Sequence, residues 1–231
     1  MCSANWHISW NKFKLTNKLT LFGLLMQHKL SGYGVELRAV VQDDIETLRQ
    51  WRNRDDIRSM MKSTSYISKE QQQAWFNSLE DGTNIRHFLI TYKGEGVGSA
   101  TLKGLKFVSG FTDDLENAKE IEPGLYIGHE NYRNNILAFA PSLVMCDYCF
   151  DELQVERLIA TVNVNNAQAL SYNEKLGYKE NFRFFTDASE PDVDSSEKSN
   201  KQEWVSLSLL RKDYIEATKQ VRNFLSRRKS K

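Results

Sequence analysis

The stretch EPGLYIGHENYRNNILAFAPSLVMCDYCFDELQVERLIATVNVNNAQALSYNEKLGY, Glu122 to Tyr178, decides how the chain is read: strand, tight turn, helix, strand, helix. The first strand, EIEPGLYIG (Glu120 to Gly128), contains Pro123, which removes one ladder donor, so it must be irregular or at a sheet edge there. Leu137 to Leu153 is a long apolar helix with Pro141 in its first turns, where a missing N–H is tolerated. RLIATVN (Arg157 to Asn163) is a strong strand, and Asn166 or Asn165 caps a helix that stops at Gly177. Two segments, YRNNILA (Tyr132 to Ala138) and NNAQALSYNEKLGY (Asn165 to Tyr178), place turns at helix starts. Unpaired N–H groups and the positive dipole end there can hold a pyrophosphate, so a nucleotide-type cofactor is the first expectation.

Upstream, VELRAV (from Val35) alternates as a strand, and Asp43-Asp44 can cap a helix with Ile45, Leu48, Trp51 and Ile57 at helical spacing. A second helix follows Ser68, where Ser68-x-x-Gln71 matches a capping box and Trp75, Phe76 and Leu79 form the apolar face. RHFLITY and GVGSATLKGL read as a hairpin through Lys93-Gly94-Glu95-Gly96, and Phe107 to Lys119 as a polar insertion. Downstream, YKENFRFFTD and EWVSLSLL form a closing hairpin around an acidic loop, followed by a basic terminal helix from Asp213. Residues 1–34 read as an appendage, equally well explained by a start codon placed upstream of the true one, with Met26 just before the first confident strand. The domain proper spans 35–214 and a basic C-terminal helix or tail 215–231, with no internal repeat.

Composition narrows the function classes. Lys plus Arg number 31 against 30 Asp plus Glu, so no global positive field exists to hold a nucleic-acid backbone. The acidic run Asp187 to Glu197 and the basic residues from Arg222 onward read as a solvated loop and tail. Three cysteines without a spaced framework fit a reducing cytoplasm. Cys146 and Cys149 form a CxxC inside an apolar helical pattern, with no second pair to complete four ligands, so buried thiols rather than a metal site are expected. No apolar run approaches the ~18 residues of a membrane span.

The element order, together with Asn166-x-x-Ala169 and Glu174-Lys175-Leu176-Gly177-Tyr178, resembles the GNAT superfamily of acetyl-CoA-dependent N-acetyltransferases over Val35 to Tyr214. The resemblance implies an α/β (α+β) fold: a mixed, mainly antiparallel sheet, helices on both faces and a splayed parallel strand pair. It implies acetyl-CoA as cosubstrate, with pantetheine completing the ladder along the strand of Leu125 and Ile127. Arg133 and the backbone of Asn134, Asn135, Ile136, Leu137 and Ala138 would then hold the pyrophosphate, beside the cap Asn166. Two departures stand out. Ile136 occupies the usual glycine position, so either the turn keeps helical dihedrals or cofactor affinity is poor. Asn173 stands where a proton-donating Tyr is frequent, with Tyr172 turned about 100° away.

Asn173 can hydrogen-bond the thiol or pantetheine but cannot release a proton, leaving water, Asn173-held solvent or direct proton sharing as the acid. For the base, the resemblance points to a carboxylate near the splay, Glu122 ahead of Glu120, His129 and His87. Trp51-Arg52-Asn53 and Ile67 to Phe76 resemble the sugar-nucleotide amine and ribosomal-protein-alanine acetyltransferases, with Arg52 and Asn53 facing the acceptor. The implied reaction is direct acetyl transfer to a primary amine of an amino sugar or other small molecule. The alternatives are acetylation of a protein N-terminus and an acyl-CoA sensor that has lost catalysis. The apolar appendage and edge strands could support a dimer.

Overall fold

The computed structural model describes residues 29–79, 82–133, 138–187 and 201–227. Residues 1–28 of the expected appendage, the turn Asn134 to Leu137, the acidic loop from residue 188 to 200 and residues 228–231 lie outside them. Eight strands form one sheet: β1 (Leu30–Gly32), β2 (Val35–Ala39), β3 (Ile85–Tyr92), β4 (Glu95–Phe107), β5 (Ala118–Ile127), β6 (Arg157–Asn163), β7 (Lys179–Asp187) and β8 (Lys201–Leu209). Their order is β1-β2-β3-β4-β5-β6-β8-β7, antiparallel throughout except for the parallel pair β5–β6. The helices are α1 (Ile45–Asn53), the single turn α2 (Asp55–Arg58), α3 (Lys69–Ser78), α4 (Phe139–Asp147), α5 (Ala167–Leu176) and α6 (Arg211–Arg227).

Strand alternation divides the interior in two. Phe88 and Ile90 of β3 face the larger core, with Leu143, Met145 and Cys146 of α4, Leu176 of α5 and Tyr214 and Leu225 of α6. Leu89, between them in sequence, points to the opposite face and a smaller cluster with Ile45, Leu48, Trp51 and Trp75 of α1 and α3. Helices thus cover both faces, as the resemblance implied. Both cysteines of the CxxC are buried free thiols, and burial pushes both thiols up.

Local signals shape most of the connections. Lys93 and Gly94, both at positive φ (51° and 82°), join β3 to β4 in a two-residue turn whose twist suits a hairpin. The pair Tyr33 and Gly34 (53° and 87°) does the same between β1 and β2. The sheet therefore begins before Val35, and Tyr33 donates a 2.6 Å hydrogen bond to Asp147 of α4. Ser68 and Gln71 make the reciprocal capping box of α3. Asp44 differs from expectation: its carboxylate turns back to the Val41 amide and takes a two-point ion pair from Arg38 (2.7 and 2.8 Å), so it caps no α1 amide.

The expected helix to Leu153 is α4 continued by a π turn, Tyr148–Glu152. The insertion after Phe107 is shorter than its polarity suggests, because β5 resumes at Ala118 and fully buried Leu115 pins the link. At the far end, α6 is part of the core rather than a tail: Tyr214 and Leu225 are 1% exposed and Thr218 is fully buried.

Candidate active site

β5 pairs with β4 from Ala118 to Ile127, but with β6 only at Glu120↔Arg157 and Ile121↔Leu158. Beyond Ile121 the two parallel strands part, β6 continuing along β8 to Asn163. Pro123, with no N–H to offer a neighbouring strand, stands just past the last parallel pair. Pro123 is thus not on an outer strand; it marks where an interior strand loses one partner. The result is a V-shaped gap bordered by backbone without a strand partner on its inner sides, the arrangement an extended ligand completes by adding ladder hydrogen bonds.

Glu122 is the first β5 residue beyond the paired portion, and its carboxylate, 21% exposed, accepts a 2.8 Å bond from Lys62. Glu120 lies on the same strand face but is engaged otherwise. It takes Arg157 Nε at 2.8 Å and Lys106 Nζ at 3.0 Å. Burial opposes its charge, yet these two cations hold its carboxyl below the usual range. Neither histidine reaches this point. His87 stacks edge-on against Trp75, and burial lowers it to about 4. His129 lies against Glu95 (3.2 Å) and Tyr132.

Of the expected donor-binding residues, Leu125 and Ile127 are half-buried along the unpaired part of β5 and pack on the larger core. Asn134, Asn135, Ile136 and Leu137 lie outside the described residues. Arg133 is turned toward α2: Nε donates to Ile127 O at 3.1 Å and Nη1 pairs with Asp56. Arg54 also holds Asp56 (2.9 Å) and donates to Gly128 O at 2.7 Å. Between these two guanidiniums the Asp56 carboxyl stays well below its ordinary range. One nitrogen of Arg133, Nη2, is buried without a hydrogen-bond partner, a donor suited to an anionic ligand. The orphan donor and the open strand edge fit a pyrophosphate-bearing pantetheine.

Ala138 precedes α4 without a side-chain cap, and its carbonyl accepts from Tyr172 Oη at 3.0 Å. The same hydroxyl lies 2.7 Å from Ser142 Oγ, and the ring stacks on Phe139. Tyr172, half-buried and with its phenol pushed up by desolvation, thus ties α5 to the first turn of α4. In α5, Asn166 Oδ1 accepts from the Ala169 amide at 3.0 Å, and Gly177 closes the helix at φ 97°. Asn173 spends its amide N–H on Ala169 O within the helix (2.8 Å).

On the acceptor side, Arg52 and Asn53 do not behave alike. Asn53 pairs at both ends with the backbone of Ile67, its amide donating to O and accepting from N, each at 2.8 Å. That reciprocal pair clamps the loop 59–67 to α1 and leaves the side chain a positioning role. Arg52 reaches Ser63 O through one nitrogen, while Nη1 is buried without a partner. Desolvation lowers its pKa, against the pull of Tyr126, whose own phenol burial pushes up to about 12. Arg49 adds a third tie, to Ile67 O at 3.2 Å. Trp51 packs flat on Gly128, where any Cβ would meet the indole at 2.1 Å. Lys62, Asp56 and Tyr172 were not singled out from sequence as site residues, since each acts through a partner at least 34 residues away.

Among the described residues no group of three or more His, Cys, Asp or Glu could hold a metal ion, and no helix is long and apolar enough to cross a membrane. Residues 35–179 match the family model described as an acetyltransferase (GNAT) domain. No curated protein sequence matches. A solved spermidine N-acetyltransferase from Vibrio cholerae, in complex with CoA and spermine, is 17% identical with a TM-score of 0.65, the match covering 80% of this chain and 99% of that one. A GCN5-related N-acetyltransferase from Brucella melitensis is 15% identical, TM-score 0.65, covering 86% of each chain. An aminoglycoside acetyltransferase in complex with coenzyme A is 17% identical, TM-score 0.59, covering 80% and 99%. At these identities the structures share the fold.

Proposed function

The chain belongs to the GNAT family of acetyl-CoA-dependent N-acetyltransferases, and from that premise we propose that it acetylates the primary amine of a small molecule, with Glu122 as the base. The observation that carries the reading is the position of Glu122 at the mouth of the β5–β6 gap, already facing an ammonium 2.8 Å away. A protonated amine must lose its proton before its lone pair can attack, and a carboxylate at this point accepts it directly or through one water. Acetyl-CoA supplies an acyl group activated as a thioester. The chain's own residues supply placement: Leu125 and Ile127 along the gap, Arg133 and the start of α4 toward the diphosphate, Arg52 beside the acceptor.

The acceptor class follows from charge. Glu122 favours a cationic amine, which suits a polyamine or an amino sugar, the kinds of compound named for the spermine-bound and aminoglycoside-modifying structures. An acceptor of the sugar-nucleotide type rests on the WRN and WF helices alone, and here Asn53 is spent on the loop backbone. With Asn173 unable to release a proton and the Tyr172 hydroxyl engaged by Ala138 O and Ser142 Oγ, solvent is the source of the proton for the leaving thiolate. The same two facts favour a second reading, an acyl-CoA binder without turnover.

The test is thiol release from acetyl-CoA against polyamines, aminoglycosides, amino-sugar nucleotides and peptides. Release with one of the first three supports the proposal. Release with peptides alone points instead to protein N-termini. Tight donor binding, seen as a raised melting temperature, with silence across the panel supports the sensor.

A further inference from the structure

We propose that Lys62 is itself an acceptor: when acetyl-CoA is bound and no substrate amine is present, the chain acetylates its own Lys62 Nζ. The inference rests on the reading of Glu122 as the base. Lys62 occupies the place an acceptor ammonium would take, 2.8 Å from Glu122 Oε1. It is held there by architecture rather than by chance collision. The loop that carries it is tied to α1 at Ser63 by Arg52, and at Ile67 by Asn53 from both sides and by Arg49. A nucleophile fixed near its base reacts as part of one molecule, which removes the entropy of bringing two together. The lysine side chain itself is 59% exposed and held by this one ion pair, so it can shift within the reach of its tied loop. Once its proton has passed to Glu122, the neutral amine can therefore swing from the carboxylate into the gap.

The steps balance. Lys62 gives one proton to the Glu122 carboxylate, directly or through water. The neutral amine attacks the thioester carbonyl, forming the C–N bond. The C–S bond breaks, and the thiolate leaves and takes up a proton, so that acetyl-Lys62, CoA thiol and one proton in solution result. Acetylation removes the charge that pairs with Glu122 and frees the carboxylate for a substrate amine. The molecule carries its own control in Lys106, an equally exposed lysine (63%) whose partner Glu120 sits two residues away, at the closed end of the parallel pair.

The full chain is incubated with acetyl-CoA bearing a deuterated acetyl group, and labelled lysines are mapped by peptide mass spectrometry. The label is expected on Lys62, at a rate independent of protein concentration and well above that of Lys106. Glu122→Gln slows it by about 100-fold or more, as for a lost general base. Lys62→Arg keeps the cation and removes the label from that peptide. A melting curve with CoA confirms that each variant is folded and binds the donor. Labelling of Lys62 no faster than Lys106, or undiminished in Glu122→Gln, overturns the inference while thiol release on small amines leaves the proposed function standing. Absence of a donor-induced rise in melting temperature overturns both.

Discussion

The two parallel crossovers of the sheet, β5 into α4 and β6 into α5, are built from the same elements but specified in different ways. The second is written locally. Asn166 caps α5 three residues ahead, and Gly177 ends it in the left-handed region with its amide on Asn173 and Glu174 carbonyls. The first has no side-chain cap at Ala138. Its approach is held from afar: Trp51 on Gly128, Arg54 on the Gly128 carbonyl, Asp56 on Arg133, Tyr172 on Ala138. Past Ile121 the β5–β6 crossover lacks the ladder that would otherwise order it. Tertiary ties from α1, α2 and α5 take that part.

Breaking each side should give different signatures. The largest effect is chemical: Glu122→Gln, at the mouth of the gap, lowers kcat by about 100- to 1000-fold while acetyl-CoA still raises the melting temperature. Gly128→Ala forces a Cβ into the Trp51 ring and should cost about 3 kcal/mol, with weaker donor binding expected because the end of β5 beside Arg133 is displaced. Gly177→Ala, at φ 97° and 2.7 Å from Asp213 O, costs about 2 kcal/mol and lowers the melting temperature by about 4–8 °C. Tyr172→Phe removes the bond to Ala138 O, about 1 kcal/mol; because that bond joins the two crossovers, the KM for acetyl-CoA rises more than kcat falls. Asn166→Ala, confined to the local cap, costs about 1 kcal/mol in denaturant melts and leaves that KM nearly unchanged. If Asn166→Ala weakened donor binding more than Tyr172→Phe, the contrast between the crossovers would fail.

The same contrast explains what the sequence allowed. Strands β2 to β8, the β3–β4 hairpin, the α3 capping box and the Asn166 and Gly177 ends of α5 were legible because each is a pattern within a few residues. Glu122 could be placed on β5 and on a defined face of it from alternation alone. Its partner was not: Lys62 comes from 60 residues earlier, in a loop without periodicity. Arg52 and Asn53 were singled out for the acceptor face from the WRN resemblance, yet Asn53 turned out to fix the loop. A side chain that shapes a site and one that touches its ligand carry the same residue types, and only their hydrogen bonds separate them. β1 was missed because three residues of strand, LSG, carry no alternation of their own and are ordered by pairing with Val35 to Leu37.

We propose that the acyl donor lies where β5 and β6 diverge beyond Ile121. Amide hydrogen exchange with and without acetyl-CoA tests it most directly. Binding should slow exchange in residues 122–127 of β5 and in the facing part of β6, while β3 and the β7–β8 hairpin stay unchanged. Donor binding that protects neither side of the gap would contradict it.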